Sequence, residues 1–164
     1  MMQNLCRVII KTYLSGGRER KVFIYMSITH EFVLIDKNSS ANSSDSLTNK
    51  VILSDNFVRY IDDYFQWIYT WWNDKEERKG LNYYGYSVIK EYNIIQFEKI
   101  IEAWIGIYEI APEQFILTGD YLVEENKYEE ICYQKQNILS NLLSLRNLCK
   151  KAIKENKYIL HNGI

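Results

Sequence analysis

The stretch GDYLVEENKYEE places Asp120, Glu124, Glu125, Glu129 and Glu130 within twelve residues, the densest gathering of carboxylates in the chain. Carboxylates do acid–base chemistry or hold a cation only when two or three converge on one pocket. The alternating oxygen ligands of a calcium loop are absent here, so the run reads as a solvated face or a protein-binding patch. His30, with Glu31 and Asp36 near it, and His161 in the tail are the only imidazoles. Either has the chemistry of a general base, but no serine or cysteine stands in a nucleophile elbow or other catalytic signature. Both are therefore read as structural or surface histidines. Cys6, Cys132 and Cys149 lack the paired spacing of a zinc site or a disulfide framework, which fits a reducing compartment. The segments LSGGRERK and LTGD lack the phosphate-loop lysine pattern. No metal or cofactor is expected.

Aromatic residues form the second concentration. Asp63 to Tyr86, DYFQWIYTWWNDKEERKGLNYYGY, holds three of the four tryptophans and five of the fourteen tyrosines. Such a cluster serves as core, as partner platform or as ligand pocket. With Ser54 as its cap, the spacing predicts a helix from Asp55 to about Asn73. Phe57, Ile61, Phe65, Ile68 and Trp72 form one stripe on it, and Tyr60, Tyr64, Trp67 and Trp71 a second stripe beside the first. The first stripe reads as core. The second, with polar tips, stands at the edge of the buried arc, where Tyr and Trp meet both core and water. NDKEERKG then ends that helix in charge and glycine.

The remaining elements position these groups. EFVLIDK reads as a buried strand and Asn38 to Asn49 as a polar, mobile loop. LNYYGYSVIK alternates as a strand with Tyr84, Tyr86 and Val88 on one face, and Gly85 marks a bulge or close backbone approach. A helix capped by Asn93 with Gln96, stapled by Tyr92 and Phe97, buries Phe97, Ile101, Trp104, Ile105 and Tyr108 before Pro112 closes it. Phe115 to Thr118 is a strand, Gly119-Asp120 a turn or bulge, and an acidic loop follows a short extension. A last helix from about Lys135 to Glu155 buries Ile138, Leu142, Leu145, Cys149 and Ala152, and the tail KYILHNGI adds an edge strand. This order predicts an α+β fold: a single domain with a small, mainly antiparallel sheet covered by three amphipathic helices.

A chain of 164 residues with 47% hydrophobic content and one proline fits one domain with a core of its own. No apolar run is long enough to span a membrane. Residues 1–25 have two readings: a non-native upstream extension, with translation starting at Met26, or a first hairpin of RVIIKTYL and KVFIYMSI turning through Ser15-Gly16-Gly17. Residues 26–164 form the globular domain in both. The formal charge is −1, but residues 1–25 hold five basic groups and one acidic, so the rest carries a net −5. An acidic body does not suit nucleic acid, whose phosphates need neutralising. It suits a basic partner or solubility.

GLNYYGYSVI, AWIGIYEIAPEQFILTGDYL and KYILHNGI, spread over residues 80–164, resemble small cytosolic immunity proteins encoded beside bacterial contact-dependent growth inhibition and other polymorphic toxins. The resemblance implies a cytoplasmic, non-enzymatic protein that binds a cognate toxin domain, often a basic nuclease, and covers its active site or blocks substrate access. It implies no membrane and no nucleic-acid partner, and it transfers no interface residues. From the residues themselves, Asp74, Glu76, Glu77, Asp120, Glu124, Glu125, Glu129 and Glu130 are candidate steering charges, and Trp71, Tyr84, Tyr86 and Tyr121 candidate anchors. Two alternatives stand beside this one: a ligand-binding or regulatory domain using the Tyr/Trp cluster, and a small hydrolase using the carboxylates and His30.

Overall fold

The structure, a computed structural model, describes the backbone of residues 8–15 and 18–25 and the whole of residues 28–38 and 50–164. Strands β1 (Val8–Ser15) and β2 (Arg18–Tyr25) pair antiparallel, with Ser15 opposite Arg18. Gly16, Gly17, Met26 and the polar stretch 39–49 lie outside the described residues, so the expectations for a mobile loop there and for the turn at 16–17 do too.

A six-stranded antiparallel sheet organises the rest. Its order is β4 (Lys50–Ser54), β3 (Thr29–Ile35), β10 (Tyr158–Asn162), β7 (Tyr86–Ile89), β5 (Tyr69–Trp72) and β6 (Glu76–Lys79). Three helices complete the fold: α1 (Asp55–Phe65), α2 (Tyr92–Glu109) and α3 (Lys135–Glu155). A separate hairpin pairs β8 (Gln114–Leu122) with β9 (Lys127–Gln134). The fold is α+β, as the order of elements predicts.

The register explains the layers. Phe32 and Leu34 on β3, Leu53 on β4, Ile89 on β7 and Ile159 on β10 pack with the apolar faces of all three helices in one core. Alternation sends Ile35, Val88 and Leu160 to the opposite face, where they form a second, smaller cluster. Because β10 is apolar toward both faces and pairs with β3 and β7, the tail is a central strand. The edge-strand expectation was wrong. A short run apolar on both faces is the mark of an interior strand.

The helix of the aromatic segment is also shorter than its periodicity suggests. It ends at Phe65, Gln66 caps it, and Tyr69–Trp72 continue as a strand paired with β6 and β7. The charged segment NDKEERKG is the turn and second strand of that hairpin. Asn73 and Asp74 turn it with φ of 51° and 55°, a left-handed conformation these two residue types tolerate best after glycine. Aromatic residues favour a half-buried pleated surface, and strand pairing overrode the helical spacing. Thr70, within the helix predicted to about Asn73, is buried in β5 instead.

Helix α2 starts at Tyr92, with Glu91 in the cap position at φ 46°. Asn93 lies inside the first turn, and its Oδ1 accepts the Tyr69 N–H at 3.0 Å. The expected Asn93 cap is thus used to tie the helix to β5. On α2, Phe97, Ile101, Ile105 and Tyr108 are buried as expected, whereas Trp104 is only half-buried against the core. Helix α3 and its buried face Ile138, Leu142, Leu145, Cys149 and Ala152 match expectation throughout.

Candidate functional site

The candidate partner-binding residues fall on two separate sheets. The first group stands at the β5–β6–β7 end of the large sheet. Trp71 pairs with Glu77 on one side and Val88 on the other, so these side chains share the face away from the helices, with Tyr86 two residues along from Val88. The Lys90 ammonium lies 4.3 Å from the Trp71 ring centroid. The Tyr86 hydroxyl donates to Asp74 Oδ2 at 2.8 Å, and this bond to the carboxylate raises the phenol pKa. Glu76, opposite Trp72, forms a surface ion pair with Arg78. Tyr84 is not on the predicted strand, which begins only at Tyr86; it is 82% exposed in the preceding turn, its ring edge-on to Tyr83 at 5.0 Å.

The second group lies on the β8–β9 hairpin. The expected Gly119-Asp120 irregularity is there, as a register shift between Thr118 and Tyr121. Asp120 takes a two-pronged bond from the Arg59 guanidinium and so ties the hairpin to α1, an attraction that raises the Arg59 pKa. Asp120, one of the partner-binding candidates, is thus held in a surface ion pair with Arg59. The acidic loop is shorter than expected. Glu124 and Glu125 stand in the turn, but Glu129 and Glu130 belong to β9, with Glu130 opposite Thr118. Glu125 is paired with Lys127 at 2.8 Å. Tyr121 meets Tyr128 edge-on at 5.1 Å and donates to Asn126. Five carboxylates face one lysine along this hairpin. It also exposes Ile116, Tyr121, Val123 and Tyr128 among them.

A feature that sequence reasoning missed lies inside the fold. Both histidines are buried in strands, His30 in β3 and His161 in β10. His30 Nε2 is 3.1 Å from Asp55 Oδ1, and the Tyr83 hydroxyl donates to the same carboxylate. A carboxylate only accepts, so His30 carries its proton on Nε2 and offers Nδ1 to His161 Nε2–H at 2.9 Å. His161 Nδ1 accepts the Ser87 hydroxyl at 3.2 Å, and Ser87 Oγ accepts the Asn82 N–H at 3.2 Å. Every donor in this chain points the same way, from Asn82 to Asp55. Burial lowers the His30 pKa against the opposing pull of Asp55, and burial beside His30 lowers that of His161 to about 3. Both rings are neutral at pH 7. Burial, followed by the bond to Asp55, raises the Tyr83 phenol. The sequence places Asp55 at the start of the first helix. It does open α1, but as a buried acceptor. The one available signal was that both histidines sit in short apolar strand patterns.

The chain of side chains is sealed: His30, His161 and Ser87 are each at most 1% exposed. Three surface grooves lie elsewhere. One, of about 190 Å3, runs between α1 and β8 past Arg59, Tyr60 and Asp120. Another lies along the charged hairpin, and the third beside Tyr158 and the end of α3. None is lined by a tryptophan. Among the described residues no three His, Cys, Asp or Glu side chains gather as metal ligands, and no helix is long and apolar enough to cross a membrane. No protein-family model matches the chain, and neither a curated protein nor a solved structure matches it significantly.

Proposed function

We propose that this chain is a cytoplasmic immunity protein that binds a basic toxin domain, of the nuclease kind, and blocks access of substrate to it. The observation that carries the reading is the β8–β9 hairpin, which exposes Glu124, Glu125 and Glu130 together with Tyr121, Val123 and Tyr128. Carboxylates on such a surface accelerate encounter with a basic partner, and aromatic and aliphatic neighbours supply the desolvated contacts that slow release. Trp71, Asp74, Glu76, Glu77, Tyr84 and Tyr86 offer a second patch of the same character. The hydrolase and ligand-pocket readings find less to stand on. Both histidines are buried, and no tryptophan lines the three grooves described above.

Co-expression with the toxin encoded beside the gene tests the reading. The wild-type chain protects the cells and co-purifies with the toxin domain. A chain with Glu124, Glu125, Glu129 and Glu130 changed to lysine folds with an unchanged melting temperature within a few degrees, since these are surface positions, yet protects poorly. Undiminished protection by that variant removes the hairpin from the interface. Failure of the wild type to protect or co-purify removes the function.

A further inference from the structure

The carboxyl end of α1 carries an arrangement that the partner-binding candidates do not include. Trp67, 68% exposed just past the helix, meets the Tyr64 ring edge-on at 5.2 Å. Tyr64 in turn meets Trp104 of α2 edge-on at 5.1 Å. Three large rings thus form a continuous surface step. Cations lie over several rings elsewhere on the molecule: Lys90 over Trp71, Arg78 over Trp72, Lys79 over Tyr69, and Lys37 and Lys90 over Tyr158. Among the described residues no cation covers Trp67, Tyr64 or Trp104.

The local charge has the sign that a cation needs. A helix carboxyl end carries partial negative charge and is ordinarily complemented by Lys, Arg or His. The last turn of α1 has no basic residue. It holds Asp62 and exposed Asp63 instead, and among the described residues neither is in an ion pair. Burial raises the Asp62 pKa against an opposing pull from His30, and the neighbouring Asp63 adds to the rise. The backbone carbonyls there are already satisfied by the Gln66, Trp67 and Ile68 N–H groups. What is unmet is charge, beside open aromatic faces.

We propose that the Trp67–Tyr64–Trp104 step, with Asp63 beside it, is a cation-binding surface that receives an arginine or lysine side chain of a basic partner protein. A guanidinium lying on an indole face next to a carboxylate satisfies both the ring quadrupole and the helix end. That the occupant comes from a protein rests on the function proposed above; the cation site itself does not.

Fluorescein-labelled hexa-arginine, titrated with the full chain at low salt and followed by anisotropy, is the test. Hexaglutamate serves as the control. The double variant Trp67→Ala/Asp63→Asn changes exposed positions, so its thermal melt should match the wild type. It is expected to weaken hexa-arginine binding about tenfold, Trp67→Phe about threefold or less, since a ring face remains. Changing Glu124, Glu125, Glu129 and Glu130 to glutamine should leave a component of binding that Trp67→Ala then removes. Equal binding by the wild type and the double variant, or complete loss on neutralising the hairpin alone, overturns the proposal. Because the peptide assay needs no toxin, this site and the immunity function can fail independently.

Discussion

Protonation of a single ring reaches through the whole chain from Asn82 to Asp55. A proton added to His30 Nδ1 sets two N–H groups against each other or forces His161 into its other tautomer, and a proton added to His161 Nδ1 leaves the Ser87 hydroxyl without its acceptor. Both histidines have pKa values lowered by folding, so the unfolded chain takes up protons that the native state refuses. Their contribution to stability is therefore whole above the unfolded value of about 6.5 and is lost as pH falls below it, down to about 3 for His161. NMR of the imidazole nitrogens checks this directly: His161 should not titrate between pH 8 and 5, and His30 should titrate below the ordinary 6.5. A titration near 6.5 would mean the rings are open to water. Asp55→Ala removes the acceptor of both His30 and Tyr83 and should cost about 1–3 kcal/mol at pH 7, measured by urea unfolding. Sequence alone suggested structural or surface histidines but gave no means of joining positions 30, 55, 83, 87 and 161. Their meeting depends on strand pairing between distant segments, for which no local pattern exists.

Among the elements, α3 was legible to its ends because one apolar stripe, a polar opposite face and a left-handed Asn156 cap agree. Helix α1 was legible only at its start. Its aromatic spacing continues helically past Phe65, and only the pairing of Trp71 with Val88 and Glu77 decides for a strand. Strand β10 was found but misplaced, since burial on both faces depends on neighbours far away in sequence. Being central, β10 also clamps the segment that carries Tyr83 and Tyr84. Gly163 N–H donates to Gly85 O at 2.7 Å and Ile164 N–H to Tyr83 O at 2.9 Å. A Cβ on Gly163 would run into the backbone carbonyls of Asn82 and Tyr83. Gly163→Ala should therefore displace that segment, and near-UV circular dichroism would show a changed tyrosine environment. Leu160→Ala, in the buried centre of β10, should cost about 2–5 kcal/mol in urea unfolding. A loss below 1 kcal/mol would contradict the central placement.

At the scale of the molecule, carboxylates and exposed rings occur together on the hairpin, at the β5–β7 end of the sheet and at the carboxyl end of α1. The candidate charges were legible as composition. Their division between two sheets, the tethering of Asp120 by Arg59 and the open Trp67 step were not, because each depends on tertiary placement. A surface of this kind predicts association that is fast at low salt and slows as ions screen it. The most direct measurement of the proposed function is the association rate of the full chain with a candidate basic toxin domain from a neighbouring gene, at about 20 mM and about 200 mM salt. The wild type should bind with a rate that falls severalfold between the two, and the variant with Glu124, Glu125, Glu129 and Glu130 reversed to lysine should bind more slowly with the salt dependence largely gone. Equal rates for the two chains at both salts, or no binding by the wild type, would contradict the account.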